Sequence, residues 1–203
     1  SVAVNIANVT ALAASDLTDL NTLNTNIAGF TNTNNIATIH LTNDGGGNNS
    51  HVDFGVLDDI ISAYKGRNSA VSFVPVSGDT IDIDTSNELT DFLTDISNDN
   101  LTLSDQAITV VSSVAVSVVN AKSLAADTSG TVTATIDNTE PVSSLVGLRI
   151  PDGTNNEEHA WTITIKAADA TTCTAAQLNT INAATSVAVN IANVTALAAS
   201  DLT

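Results

Sequence analysis

The chain carries the same eighteen residues twice. Residues 1–18 and residues 186–203 both read SVAVNIANVTALAASDLT, identical at every position, so that Ser1 recurs as Ser186. Chance does not produce such a match, and repetition at a fixed interval is the sequence mark of array architectures. The expected organisation is one full period over residues 1–185, followed by the start of the next over 186–203. A duplicated terminal strand that closes a ring or swaps between chains is the competing explanation.

Weaker echoes lie inside the period. Residues 113–130, SVAVSVVNAKSLAADTSG, align without gaps with residues 1–18, with eight of 18 positions identical. QLNTIN at 177–182 echoes DLNTLN at 19–24, and TATI at 133–136 echoes IATI at 36–39. The period thus reads as a set of related smaller units.

Alternation and β-branched runs predict strands at 2–6, 36–41, 71–76, 80–84, 108–119, 132–136 and 161–165. Helix signals fall between them. Thr85 with Glu88, and Thr174 with Gln177, have capping-box spacing ahead of apolar positions. Ser15 can cap a helix carrying Leu17, Leu20 and Ile27. Val56, Leu57, Ile60, Ile61 and Tyr64 suggest a fourth helix. Unit starts at Val2, Ile36, Ala70, Leu101, Val132 and Trp161 are spaced for about six units of roughly 30 residues, the size that solenoids stack. The expected fold is mainly β: a parallel β-rich solenoid with short helices along one edge. The alternative is a string of antiparallel Ig-like β-sandwich beads.

Composition narrows the function. Of 203 residues, 22 are acidic and 5 basic, a net charge of −17, so nothing here neutralises nucleic-acid phosphates. The longest apolar stretch, residues 107–119, is broken by Thr and Ser and is shorter than the ~20 residues of a spanning helix. No membrane insertion is expected, and no signal peptide is visible. Cys173 is a lone cysteine, which excludes a disulfide scaffold. No nucleophile–base arrangement or carboxylate pair is defensible from spacing, so no enzyme is expected.

Three acidic stretches are candidates for a hard cation such as Ca²⁺. Asp79, Asp82 and Asp84 lie in GDTIDIDTSNE, where Asp82 and Asp84 share a strand face. Asp44 precedes three glycines in NDGGGNNS, and Asp152 opens DGTNNEE. Neither the calcium-binding nonapeptide order nor an EF-hand loop is present. His40, His51 and His159 are scattered and are read as surface or strand positions. Sequons begin at Asn8, Asn48, Asn100 and Asn193.

TAAQLNTINAATSVAV (174–189), SGTVTATIDNTE (129–140) and HAWTITIKAADAT (159–171) resemble repeats of very large secreted surface proteins of cyanobacteria and other aquatic bacteria. The resemblance covers about half of the period. It implies an extracellular fibre, sheath or adhesin stalk, in some cases calcium-dependent, and it transfers no functional residue. The expected function is a structural repeat of a filament, sheath or surface layer that assembles by end-to-end stacking. An adhesin stalk carrying a binding tip elsewhere is the alternative. The expected partner is the protein itself, through neighbouring repeats. Surface polysaccharide is a secondary expectation, since Trp161 and Tyr64 offer little stacking surface.

Overall fold

Every strand register among the described residues is parallel. The structure, a computed structural model, describes residues 4–5, 11–14, 22, 26, 30–31, 38–41, 51–65, 72–148 and 159–198. Its contacts divide the chain into two units, residues 1–106 and 107–203.

In the first unit the elements run β1 (Val4–Asn5), β2 (Ala11–Ala14), β3 (Phe30–Thr31), β4 (Thr38–Leu41), β5 (His51–Asp53), α1 (Phe54–Lys65), β6 (Ser72–Val74), β7 (Thr80–Ile83) and α2 (Ser86–Ser97). Three parallel groupings result: β1 with β3, β2–β4–β6, and β5 with β7. The apolar positions of α1 close onto this framework. Leu57, Ile60, Ile61 and Tyr64 are buried, as the sequence spacing predicts, while Val56 is 46% exposed. Phe54 meets Phe92 of α2 edge to face at 5.0 Å, and Tyr64 meets Phe73 of β6 at 5.6 Å. Both pairs have the geometry that aromatic quadrupoles favour.

The second unit runs β8 (Ala107–Val110), β9 (Ala115–Val116), α3 (Val118–Ala126), β10 (Val132–Ile136), α4 (Val142–Leu145), β11 (Ala160–Thr162), a 3₁₀ turn (Ala167–Asp169) and α5 (Ala175–Asn182). Strand β10 lies between β8 and β11, and β9 also pairs with β10. Alternation separates two surfaces. Val132, Ala134 and Ile136 are buried, and Ala134 aligns with the buried Trp161. Thr133 and Thr135 point the other way, against Ala160 and Thr162. Some of the abundant threonine is therefore β-branched polar residue on the outer side of a ladder.

Partner residues sit one rung apart in sequence. Val4 pairs with Phe30, Ala11 with Thr38, His51 with Thr80, Ile108 with Val132, Thr133 with Ala160 and Thr164 with Asn190. These steps average about 27 residues, inside the range of stacked solenoid repeats. They are a little shorter than the unit length expected from sequence; the expected starts Val2, Ile36 and Ala70 lie outside the described residues. Two exceptions are instructive. Thr38 pairs with Ser72, a longer step that takes in the whole of α1. Between β8 and β9, residues 111–114 loop out of the ladder. Thr109 pairs with Thr133 before the loop and Ala115 with Thr135 after it, so β10 runs on unbroken opposite the excursion.

The sequence expectations need four corrections. Among the described residues helix outweighs strand, so the architecture is mixed α/β and not mainly β. Parallel registers replace the antiparallel beads, since a sandwich of the Ig type pairs its strands antiparallel. The continuous strand expected at 108–119 is two short strands, a turn, and the first residues of α3. The Ser117 hydroxyl accepts the Asn120 N–H and starts a helix inside a β-branched run. The echo of residues 1–18 in 113–130 also fails as structure. Leu124, Ala125 and Ala126 are helical, whereas their counterparts Leu12, Ala13 and Ala14 form β2.

The corners between rungs are closed by polar side chains from a neighbouring rung. Glu140 Oε1 accepts the Val118 N–H at the start of α3 (3.0 Å), and Asp169 Oδ2 accepts the Val142 N–H at the start of α4 (2.9 Å). Both are carboxylates at helix N-termini, where orphan donors and the positive dipole end favour them. Buried Gln106 donates to the Pro75 and Val76 carbonyls at 3.1 and 3.0 Å. Asp105 accepts from the Ser77 hydroxyl (2.6 Å) and the Gly78 N–H (3.3 Å). Gly78 has a φ of +82°, a conformation that glycine adopts without steric cost.

Candidate functional site

The acidic stretch at 79–88 does not converge. In β7, Ile81 and Ile83 are buried, so Asp82 lies on the opposite face, and Asp84 follows the strand as an exposed residue. Asp79 has the parity of Ile81 and is 1% exposed, on the buried side. Asp82 binds His51 Nδ1 at 2.7 Å and stands opposite Asp53 in the β5–β7 register. Asp53 Oδ1 accepts the Val56 N–H at the start of α1 (3.2 Å). Glu88 Oε2 accepts the Asp84 N–H (2.7 Å), while Thr85 caps α2 through the Glu88 N–H (3.1 Å). Several of these carboxylates thus serve helix starts and one imidazole. Among the described residues no group of three or more His, Cys, Asp or Glu could hold a metal ion. Asp44 and Asp152 lie outside the described residues.

A second group of acids sits on the α1–α2 contact. Burial, with Asp95, Asp91 and Asp59 close by, pushes the Asp58 carboxyl up to about 6. Burial also raises Asp95, against the Asn100 amide that donates to its Oδ1 at 2.8 Å. That amide belongs to a sequon, so a glycan on Asn100 would displace this hydrogen bond.

The other candidate site is the edge of the second unit, where residues 186–198 dock. Thr185 and Asn190 bridge to His159 and Thr164 in parallel. The Ser186 N–H donates to the His159 carbonyl (2.9 Å), the Asn190 N–H to Ile163 (2.9 Å), and the Ile165 N–H to Asn190 (3.0 Å). Buried Thr185 donates its hydroxyl to the Trp161 carbonyl (2.7 Å) and accepts the Val187 N–H (3.1 Å). Asn193 Nδ2 donates to the Ile165 carbonyl (2.8 Å), so this sequon amide is also engaged. Further along, the Thr195 and Ala198 N–H groups donate to Ala170 and Cys173 at 3.0 and 3.1 Å.

His159 ties successive rungs together. Its Nδ1 accepts the Val132 N–H (3.2 Å), and its ring tilts against Trp161 at 5.1 Å. An accepting Nδ1 requires the neutral ring, and burial pushes its pKa down. Of the three histidines, His40 is in β4, His51 is in β5 and exposed, and His159 is joined to this edge.

Behind the edge, α5 begins with the full capping box expected for Thr174 and Gln177. The outer surface stays apolar: Val187, Ile191 and Leu197 are 36%, 50% and 46% exposed. Ala175, Leu178, Val189, Ile191 and Leu197, with Asn179 and Asn182, line a groove of about 340 Å³ there. Sequence reasoning marked the repeat but not this surface, because nothing in the eighteen residues says which neighbour lies on which side.

No protein-family model, curated protein or solved structure matches the chain. Among the described residues no helix is long and apolar enough to cross a membrane.

Proposed function

We propose that this chain is a structural repeat of an extracellular bacterial filament, sheath or surface layer, built as a parallel α/β solenoid that extends by stacking one period on the next. The observation that carries this reading is the uniform parallel register, with each strand paired to the one a rung later in both units. A chain that pairs in this way lengthens without changing its contacts. The exact return of the first eighteen residues at Ser186 supplies the continuity.

The role is mechanical. Ladder hydrogen bonds and buried aliphatic columns run from rung to rung, and the corner links of Glu140, Asp169, Asp105 and Gln106 fasten the connections. Only five residues, all Lys or Arg, offer trypsin-like cleavage points, which suits a surface exposed to proteases. The acidic, Lys- and Cys-poor composition supports a location outside the cell.

Electron microscopy of the native material tests the reading. Continuous rods with an axial repeat are expected. Separated globular beads would overturn the filament and favour the adhesin-stalk alternative.

A further inference from the structure

The eighteen-residue segment occurs twice and meets different neighbours each time. In its leading occurrence, Val4 and Asn5 pair with Phe30 and Thr31, and residues 11–14 pair with 38–41. Both partners come later in the chain. In its trailing occurrence the counterpart of Asn5, Asn190, pairs with Thr164, which comes earlier. A strand has two edges, and the two occurrences use opposite directions of pairing. The exposed groove marks the direction the trailing segment leaves open. Its lining residues Val189 and Leu197 are the counterparts of Val4 and Leu12, which in the leading segment stand in register with Phe30 and Ile39.

The helix side of the groove agrees. Leu178 belongs to QLNTIN in α5, and DLNTLN begins at residue 19. Read on from residue 185 into another period, that motif recurs after Gln177 at the same spacing that separates Thr133 from its partner Ala160. Thr22 within it is helical.

We infer that the trailing segment is a shared strand: it pairs backward with His159 and residues 163–165 of its own period and forward with β3 and β4 of a second copy of this sequence. The forward register is fixed by the leading segment. Val189 stands opposite Phe30 of that copy, Ala196 opposite its Thr38, and Leu197 opposite its Ile39. The contact is head-to-tail, so it does not close on itself. This deepens the filament reading and rests on it for the supply of a following copy.

The full chain tests the pairing directly. Val4→Pro with Leu12→Pro removes the leading segment from β3 and β4, because proline cannot donate to a ladder. The freed surface should then capture the trailing segment of another molecule. Sedimentation velocity should show a shift from monomer to dimers and longer species that grow with concentration. Excess peptide SVAVNIANVTALAASDLT should return them to monomer. The matched variant, Val189→Pro with Leu197→Pro, should remain monomeric. A folded Val4→Pro, Leu12→Pro protein that stays monomeric overturns the inference.

Should that variant unfold, a chain of two periods joined in frame decides, with Cys173→Ser in both. Thr164→Cys with Asn190→Cys reports the backward contact, and Ala196→Cys with Thr38→Cys of the second period reports the forward one. Paired strand positions lie within disulfide reach. Both disulfides should form in one molecule, as read by digestion and mass spectrometry. Closure of only one, or of neither, overturns the inference. Native material without fibres would overturn the filament reading and leave this pairing intact, so the two failures are distinguishable.

Discussion

Residues 1–18 and 186–203 are the same peptide in two settings. In the first setting Ala11, Leu12, Ala13 and Ala14 are a strand, laid against Thr38, Ile39, His40 and Leu41. In the second, Ala196, Leu197 and Ala198 are not in a strand, although Ala198 still bonds the Cys173 carbonyl. The sequence is constant, so the difference comes from the neighbour. Membership of a ladder here requires the following rung, which accords with strand preference being mainly a matter of fit to adjacent strands. Docking on the preceding rung is a separate interaction, carried by Thr185, Ser186, Asn190 and Asn193.

Four measurements can break or sharpen that contrast. The largest effect is expected for Trp161→Ala, which empties the buried column beneath the trailing segment. A loss of about 3–5 kcal/mol is expected in denaturant unfolding. Hydrogen exchange should quicken at Ser186 and Asn190 while the amides of β2 keep their protection. Equal loss at both would mean that the two occurrences do not answer to separate partners.

Thr185→Val comes next. It deprives the buried Trp161 carbonyl of a donor and the Val187 N–H of an acceptor, a cost of about 1–3 kcal/mol. Circular-dichroism melts that superimpose on the parent would refute the role given to this hydroxyl. A smaller effect, about 1 kcal/mol, is expected for Asn193→Ala, which removes the donor to the Ile165 carbonyl. Asn8→Ala is the matched change in the other occurrence, and unequal costs for the pair are the expected result.

The fourth measurement is a pH series read by two residues that each occur once, Tyr64 in the first unit and Trp161 in the second. Asp58 holds its proton up to about 6 when folded, against 3.8 ordinarily. Its penalty is complete above pH 6 and is relieved as pH falls toward 3.8, so the first unit gains stability on acidification. His159 is shifted the opposite way, below 6.5, so the unfolded chain takes up that proton first. Its contribution to the second unit is therefore lost as pH drops below about 6.5, against the smaller gain from Asp127, whose carboxyl burial raises. Between pH 7 and 5 the Tyr64 melt should move up and the Trp161 melt down. Asp58→Asn should weaken the Tyr64 trend and leave the part that the raised Asp95 contributes; an unchanged trend would assign it to another group.

What the sequence revealed was mostly local. The caps at Thr85 and Thr174 were legible because the N-cap and its partner are three residues apart. So was the buried face of α1, set by spacing alone. The start of α3 was hidden because Val118 and Val119 carry strand preference, and the Ser117 cap overrides it. The carboxylates offered as cation candidates, Asp79, Asp82 and Asp84, were chosen for crowding in sequence. Glu140 and Asp169 have a visible structural task, but their partners lie 22 and 27 residues away. No window of sequence displays a bond of that span until the rung spacing is known.

The excursion at 111–114 shows that a short loop can leave the ladder while the registers on either side of it survive. Residue count and length along the stack are thus decoupled in this part of the chain. Material added at such a bulge would project sideways and leave the rise from one rung to the next unchanged. In the filament proposed above, chains with unequal periods would then build fibres of equal pitch, each with its own decoration on the outside.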